Sequence, residues 1–541
     1  MKKKLLEKVR RVSVSSWIIL AIILLGIFLR TYHFHDWLHF GSDQSRDAMV
    51  IQKVLNGENN WPSLGPEAAN TGFYLGPIYY YFQIISAKIF GTYPDVFAYP
   101  DLLFSVASIP LLYYLLKKYF SIPISLSLSG IYAVSFYSIQ YSRFAWNTNS
   151  IPFFTMLFVL SLIEILLGRE KTSWWWVIVL GMATGIGMQL HTILLLLFPL
   201  ILFCAFIFSM KKSWKIWTRW VIIIAVALIL NSGQILHEMN TDYANVRTFI
   251  RTSLEKSQSN KKRFGNNLET TSLCHAQANF VMVSSLGDRD KCSYETVLGK
   301  NTSKKIKKEV GQFGYDLYLF EIALSIAFSI AGYALLIRNF YQEKDQHKKY
   351  FLGVILAYVS ISFLLLISVL SDAPLRYFIH TVFVPLIFIG FILDFIKTKV
   401  ARKYFYSIFF LVILFFVASN LYFICLEAGK LSRKERGDSG YAVLGEIEPM
   451  VDFIIASTPD KQAYLFGRNS YFTTYASPII YVAAQRNFTL IRGKKMEDVS
   501  PGEKAFYVWK DSDPAVKYEL NSRPIEKAEI IGNLGIYQLK N

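Results

Sequence analysis

Charged side chains that could do chemistry crowd into the segment Gly41-Ser42-Asp43-Gln44-Ser45-Arg46-Asp47-Ala48. If a helix starts at Ser42, positions three and four apart share a face, so Asp43 lies beside Arg46 and Asp47. A carboxylate there can take a proton from a hydroxyl or help hold a divalent cation, and a guanidinium matches phosphate oxygens. The same pattern also fits a plain surface ion pair. Other polar clusters occur at Tyr141–Pro152, with Arg143, Trp146, Asn147 and Asn149, at Gln189-Leu190-His191, and at Arg376, Tyr377 and His380. Each suits phosphate or hydroxyl recognition. Each also has an ordinary reading: an anchor turn at a membrane surface, a packed histidine, a boundary arginine.

The elements that must position these residues are read from composition. The 541 residues are 53% hydrophobic and 16% aromatic, with mean hydropathy +0.33, more apolar surface than soluble cores of this length can bury. The chain reads as an α-helical polytopic membrane protein. Apolar runs near the roughly 20-residue length that crosses a bilayer recur from Ser16 to Phe423. Lys2, Lys3, Lys4, Lys8, Arg10 and Arg11 precede the first run, which is long and lacks a small-residue cleavage site, so it reads as a retained anchor. The net charge of +18 reports topology, and no nucleic-acid partner is implied.

With the N-terminus in the cytoplasm, the basic loops at Lys117 and Lys118, Arg169 and Lys171, Lys211 and Lys212, Arg338 to Lys349, and Lys397 to Lys403 all fall inside. The connections around Arg143, His191 and Asp372 to Arg376 fall outside. This closes with about eleven spans, near 14–30, 98–116, 121–141, 151–168, 174–190, 192–210, 217–235, 315–337, 350–371, 376–395 and 403–424. The segment 236–314 carries Lys261, Lys262, Arg263, Lys304, Lys305, Lys307 and Lys308 yet lands outside, which is tolerated because long loops contribute weakly to the charge bias. Every polar cluster then faces the same side.

The expected organisation is a basic cytoplasmic N-terminus (1–13), a transmembrane domain (14–428) and an extracytoplasmic α/β domain (429–541). The first outer loop, 31–97, holds two surface helices. One runs from an N-cap at Ser42 to Leu55 with Gly57 as its stop; the other runs from Pro77 to Phe90, ends at Gly91, and is too short to cross. Its tyrosines suit the headgroup layer. The C-terminal part reads as helices at Tyr441–Ala456 and Thr474–Gln485 with strands at Gln462–Phe466, Ala505–Trp509 and Gly535–Leu539. Cys204 and Cys425 sit in or beside spans. Cys274 and Cys292 share the long outer loop, either as a disulfide or as unrelated thiols.

The order of GSDQSRDA at 41–48, GFYLGPIYYYF at 72–82, YSRFAWNTNSIPFF at 141–154 and QLH at 189–191 resembles membrane glycosyltransferases of the GT-C architecture. The resemblance is to the group holding protein O-mannosyltransferases, lipid A aminoarabinose transferases and bacterial family 39 or RgtA/B/C/D-like relatives. It covers about 14–240 well and the later spans loosely. It implies a polyprenyl-phosphate sugar donor, inversion at the anomeric carbon, and Asp43 as the general base or a metal-linked carboxylate. Many relatives carry a second acid followed by Lys-Pro-Pro where this chain has Tyr74-Leu75-Gly76-Pro77, with Glu67 the nearest substitute, and often an aspartate where this chain has Asn147.

The expected activity is therefore transfer of a sugar from a polyprenyl-phosphate carrier to a hydroxyl of a glycan, lipid or protein at the outer face of a plasma membrane. Asp43 is the expected catalytic residue, with Arg46, Arg143, Asn147, His191 and Arg376 around the donor phosphate or substrate. A divalent cation held by Asp43 and His191 stays open. Rival readings are a transporter or flippase for lipid-linked sugars, which calls for polar groups at mid-membrane and paired broken helices, and a non-catalytic membrane scaffold.

Overall fold

The computed structural model describes residues 13–540 apart from 69–70, 169–173, 211–216, 262–263, 288–291, 293–299, 370–373, 435–440, 468, 494–498, 501 and 511–523. The N-terminal basic cluster and the expectations on Arg169, Lys171, Lys211, Lys212, Lys262, Arg263 and Asp372 lie outside the described residues. Helix α1 (Val14–Thr31) begins where Ser13 Oγ accepts the amide hydrogen of Ser16. Then come α2 (Ser42–Leu55), α3 (Ile78–Phe90), and a 3₁₀ turn at Pro94–Ala98 that runs into α4 (Tyr99–Leu116). Next are α5 (Ile122–Val134), α6 (Phe136–Gln140), α7 (Ile151–Gly168), α8 (Trp174–Leu190), α9 (Thr192–Met210), α10 (Trp217–Leu230) and α11 (Ser232–Asn240). The helical part ends with α12 (Ala244–Lys261), α13 (Phe264–Ser284), α14 (Lys300–Gln342), α15 (Gln346–Val369), a 3₁₀ segment at Leu375–Thr381, α16 (Val384–Lys399) and α17 (Arg402–Ser432).

Among the described residues, 7 helices are long and apolar enough to cross a membrane, or up to 9 if each bent pair is one span. The bent pairs are α10 with α11, at 65°, and Leu375–Thr381 with α16, at 63°. Helices α5 and α8 are apolar but shorter. Helix α7 is largely enclosed by its neighbours, while α1 and α17 leave Trp17, Leu24, Phe28, Phe410, Leu411 and Leu414 exposed, as helices facing lipid do. Close approach inside the bundle depends on small residues. A Cβ on Gly185 of α8 would stand 2.9 Å from Ala227 Cα of α10, so only glycine permits that contact. Arg30, fully buried at the end of α1, donates to Ser105 Oγ at 2.9 Å and to the Ala133 carbonyl at 2.8 Å, stapling α1 to α4 and α5.

The stretch 236–314, expected as a long loop, is largely helical where it is described. Helix α13 enters the bundle and packs against α14, α15, α16 and α17. His275 Nε2 lies 2.5 Å from Tyr333 Oη, Asn279 donates to Ser329 Oγ at 3.2 Å, and Asn420 donates to the Val283 carbonyl at 2.7 Å. These polar positions lower the helix's hydropathy, although Phe280, Val281, Met282 and Val283 are buried among them. Cys274 of this helix is joined to Cys292 by a disulfide, while Cys204 and Cys425 are free.

Beyond α17 stand α18 (Leu444–Ala456), β1 (Gln462–Phe466), α19 (Asn469–Gln485), β2 (Thr489–Arg492), β3 (Lys504–Lys510), β4 (Ile525–Ile531) and β5 (Leu534–Leu539). They form a five-stranded sheet in the order β2-β1-β3-β5-β4, with β1 parallel to β2 and β3, and β5 antiparallel to β3 and β4. This small α/β unit docks on the segment between α1 and α4. Phe40 N donates to the Ala442 carbonyl at 2.9 Å, Leu444 N to the Leu38 carbonyl at 3.1 Å, and Tyr481 Oη to the Thr92 carbonyl at 2.8 Å. Helix α19 packs directly on α2.

Candidate active site

Helix α2 begins one residue earlier than a Ser42 cap would place it. Gly41 is the N-cap, and its amide donates to Gln44 Oε1 at 3.1 Å, which satisfies one of the unpaired groups at the helix start. Ser42 is thereby the first helical residue, and Asp43, Arg46 and Asp47 line one face. Arg46 joins the carboxylates: its Nη1 donates to Asp43 Oδ1 at 2.9 Å, and its Nε and Nη2 donate to Asp47 Oδ1 at 3.0 and 2.9 Å. The two acids differ in surroundings. The Asp43 side chain is 62% exposed and the Asp47 side chain 8%. Asp47 also accepts from Tyr80 Oη of α3 at 2.9 Å. Burial pushes the Asp47 carboxyl up to about 6, and the Arg46 guanidinium limits that rise. Asp43 is thus the acid open to a substrate, while Asp47 holds Arg46 from behind.

A second group forms around the turn between α6 and α7. Asn149 Nδ2 donates to the Phe144 carbonyl at 2.7 Å, and the turn packs Trp146 against Tyr141 and Phe144. The Arg376 guanidinium lies 5.6 Å from the centre of the Trp146 ring, within cation–π range. Asn147 Nδ2 donates to the Leu190 carbonyl at 2.6 Å, which fixes the chain next to His191. The His191 ring meets Tyr377 edge-on at 5.7 Å. His191 Nδ1 accepts the amide hydrogen of Ile193 at 3.1 Å, so its proton sits on Nε2. Burial, with Arg376 close by, lowers this imidazole to about 4, so it is neutral at physiological pH. His380 is directed elsewhere, between the Tyr377 carbonyl and Ser362 Oγ.

The two groups are bolted together by side chains reaching to backbone. Gln44 Nε2 of α2 donates to the Ala145 carbonyl, next to Trp146, at 3.1 Å. Gln189 Oε1 accepts the amide hydrogen of Ile78 at the start of α3, at 3.1 Å. A Cβ on Gly76 would stand 2.3 Å from Gln189 Cγ, so glycine is required there. The segments that carry the family resemblance are therefore packed against one another.

Arg143, expected at a donor phosphate, is placed differently. Its Nη1 donates to the Arg30 carbonyl at 3.0 Å and weakly to that of Leu29 at 3.4 Å, and its Nη2 to the carbonyls of Tyr32 at 2.8 Å and His33 at 3.0 Å. It caps the C-terminal end of α1, where a cation offsets the helix dipole, and the surrounding burial lowers its pKa to about 10. Glu67 is also engaged, accepting the Gly72 amide hydrogen at 2.7 Å. Among the described residues no group of three or more His, Cys, Asp or Glu side chains is placed to hold a metal ion. Asp43 accepts from Arg46, and His191 accepts from the Ile193 amide.

Sequence reasoning missed Asp101. This fully buried residue at the start of α4 accepts from Tyr79 Oη at 2.9 Å, Trp146 N at 3.0 Å and Ser150 Oγ at 2.5 Å. An acid in the first turn of a span reads as an ordinary boundary charge, and no spacing in the sequence marks its donors.

Comparison with known proteins bears on the fold. Residues 75–237 match the family model described as dolichyl-phosphate-mannose-protein mannosyltransferase. The structure matches ArnT from Cupriavidus metallidurans in the apo state, with TM-score 0.54 and 10% identity over 97% of this chain and 98% of that one. It also matches ArnT from the same organism bound to undecaprenyl phosphate, with TM-score 0.53 and 10% identity over the same shares. The chain has the GT-C glycosyltransferase fold. A search of curated protein sequences finds no match. Within this GT-C protein, the matched stretch contains α3, the Trp146 turn and Gln189-Leu190-His191, while α2 with Asp43 lies just before it.

Proposed function

We propose that this protein is an inverting glycosyltransferase that moves a sugar from a polyprenyl-phosphate carrier to a hydroxyl acceptor at the outer face of the membrane. The observation that carries the reading is the exposed Asp43, held by Arg46 and tied through Gln44 to the turn that bears Trp146 and Arg376. In this reading the acceptor oxygen attacks the anomeric carbon from the side opposite the phosphate, and its proton passes to the Asp43 carboxylate. The bond from the anomeric carbon to the phosphate oxygen breaks, with its electron pair leaving on the polyprenyl phosphate. Arg376 meets that developing charge, where a fixed cation is worth more in the transition state than in the ground state. His191 lies close to Arg376, Asn147 holds the backbone beside it through the Leu190 carbonyl, and Arg46 steadies Asp43. Arg143 is left out of the phosphate set because its donors already cap α1.

The lipid carrier is supported by the match to an ArnT structure bound to undecaprenyl phosphate and by the dolichyl-phosphate family model over 75–237. A transport reading draws on the two bent helix pairs and on the polar helix α13 inside the bundle. Radiolabelled polyprenyl-phosphate sugars, offered to reconstituted wild-type protein and Asp43→Asn at matched amounts, separate the readings. Release of the free carrier with label on an acceptor, lost in Asp43→Asn, is expected. Donor that changes leaflet with its sugar–phosphate bond intact would establish transport instead.

A further inference from the structure

Asp101 plays no part in the bond-making step above, yet it lies between the two halves of the site. It is fully buried, and its donors are neutral: Tyr79 Oη and Trp146 N on Oδ2, Ser150 Oγ on Oδ1. A buried carboxylate is tolerated only when its oxygens are satisfied, and here they are satisfied by Tyr79 of α3 and by the middle and the last residue of the Trp146 turn. Hydrogen bonds to a carboxylate are shorter and stronger than neutral ones, so the turn is held more firmly than its own backbone bonds would hold it. What that turn presents is the Trp146 ring, and what lies over the ring is Arg376. Tyr79 is followed in α3 by Tyr80, whose hydroxyl donates to Asp47, the acid behind Arg46.

We infer that Asp101 is a positioning residue for the donor-phosphate site: it fixes Trp146, and through the indole face it sets where the Arg376 guanidinium meets a lipid phosphate. The inference rests on the proposed use of Arg376 for that phosphate. It differs from a purely structural role in one respect. A structural carboxylate would weaken phosphate binding by the same factor whatever residue stands at 376, whereas a positioning carboxylate acts only through Arg376.

The test is a double-mutant cycle on the full-length protein in detergent, reading the dissociation constant of a short-chain polyprenyl phosphate. Asp101→Ala is expected to weaken binding about tenfold when Arg376 is present and less than twofold in the Arg376→Ala background. Asp101→Asn, whose oxygen can still accept from Trp146 N and Tyr79 while Ser150 turns to accept from its amide, is expected to stay within about threefold of wild type. Should Asp101→Ala fail to fold, Ser150→Ala is carried through the same cycle, with a smaller effect and the same dependence on Arg376. Equal weakening in both backgrounds overturns the positioning role while leaving the proposed function intact. Unchanged binding in Arg376→Ala alone overturns the assignment of Arg376 and the inference with it, and wild-type transfer of sugar from a lipid donor would still stand as a separate result.

Discussion

Replacing Asp47 by asparagine should make this protein more stable and less active at neutral pH. Burial moves the Asp47 carboxyl from 3.8 to about 6, which corresponds to up to about 3 kcal/mol against its charged form in the folded state. The folded protein therefore binds the proton more tightly than the unfolded chain. Wild-type stability falls as pH rises between about 4 and about 6, and the full cost is carried above that window. Asparagine has nearly the same shape, cannot ionise, and keeps the oxygen that accepts from Arg46 and Tyr80, since all those bonds converge on Oδ1. Asp47→Asn should then melt higher than wild type at pH 7.5, by on the order of 5 °C for a chain of this size. The gap should close toward pH 4.5. Thermal unfolding followed by tryptophan fluorescence at several pH values reads this directly. Transfer should drop roughly tenfold at the same time, because a neutral partner holds Arg46 less firmly. A variant that melts below wild type at pH 7.5, or a gap that ignores pH, would refute the claim that desolvation dominates at Asp47.

Arg143→Ala should lower stability by about 3 kcal/mol, from the lost bonds to the end of α1, and leave the affinity for polyprenyl phosphate unchanged; a thermal melt and a binding curve on one preparation check both halves. Any acid limb in the transfer rate near pH 6 should disappear in Asp47→Asn and persist in His191→Asn, because His191, held at about 4, does not titrate there; a pH–rate profile decides. His35 bridges Asp95 and Glu448, whose hydrogen bonds raise it to about 10, so the clamp it contributes is present at neutral pH and is lost as pH rises through 10. His35→Gln should speed amide exchange at Phe40, Leu444 and Gly445, the backbone bonds that dock the C-terminal α/β unit, measured by hydrogen exchange at pH 7.5.

Much of the frame was legible because it rests on run length and local chemistry. Apolar runs located the helices, and α3 stops at Gly91, whose φ of 94° suits glycine. The strand at Gln462–Phe466 was readable from its apolar residues and flanking breaks. Strand β4 was not: exposed on all but its last residue, it carries Glu526, Lys527 and Glu529 at the sheet edge, where charges guard against unwanted pairing and remove the alternation that marks a strand. Helix α13 escaped because His275, Gln277 and Asn279 pull down its hydropathy while finding partners inside the bundle.

The site divides the same way. Asp43 and Arg46 were legible because their pairing is local, one turn apart on a helix. Arg143 was misleading for the opposite reason, since the carbonyls it caps lie more than a hundred residues earlier in the chain, and sequence shows the charge but not its destination. Gln44 on Ala145, Gln189 on Ile78 and Asp101 on Trp146 share a feature: each is a side chain bonded to distant backbone. A backbone acceptor or amide looks the same under any side chain, so the partner leaves no mark on composition or spacing. In the proposed site, the bonds that tie α2 to the Trp146 turn are consequently the part a sequence conceals, and they are where substitutions remote from the reacting atoms should cost activity without removing a charged group.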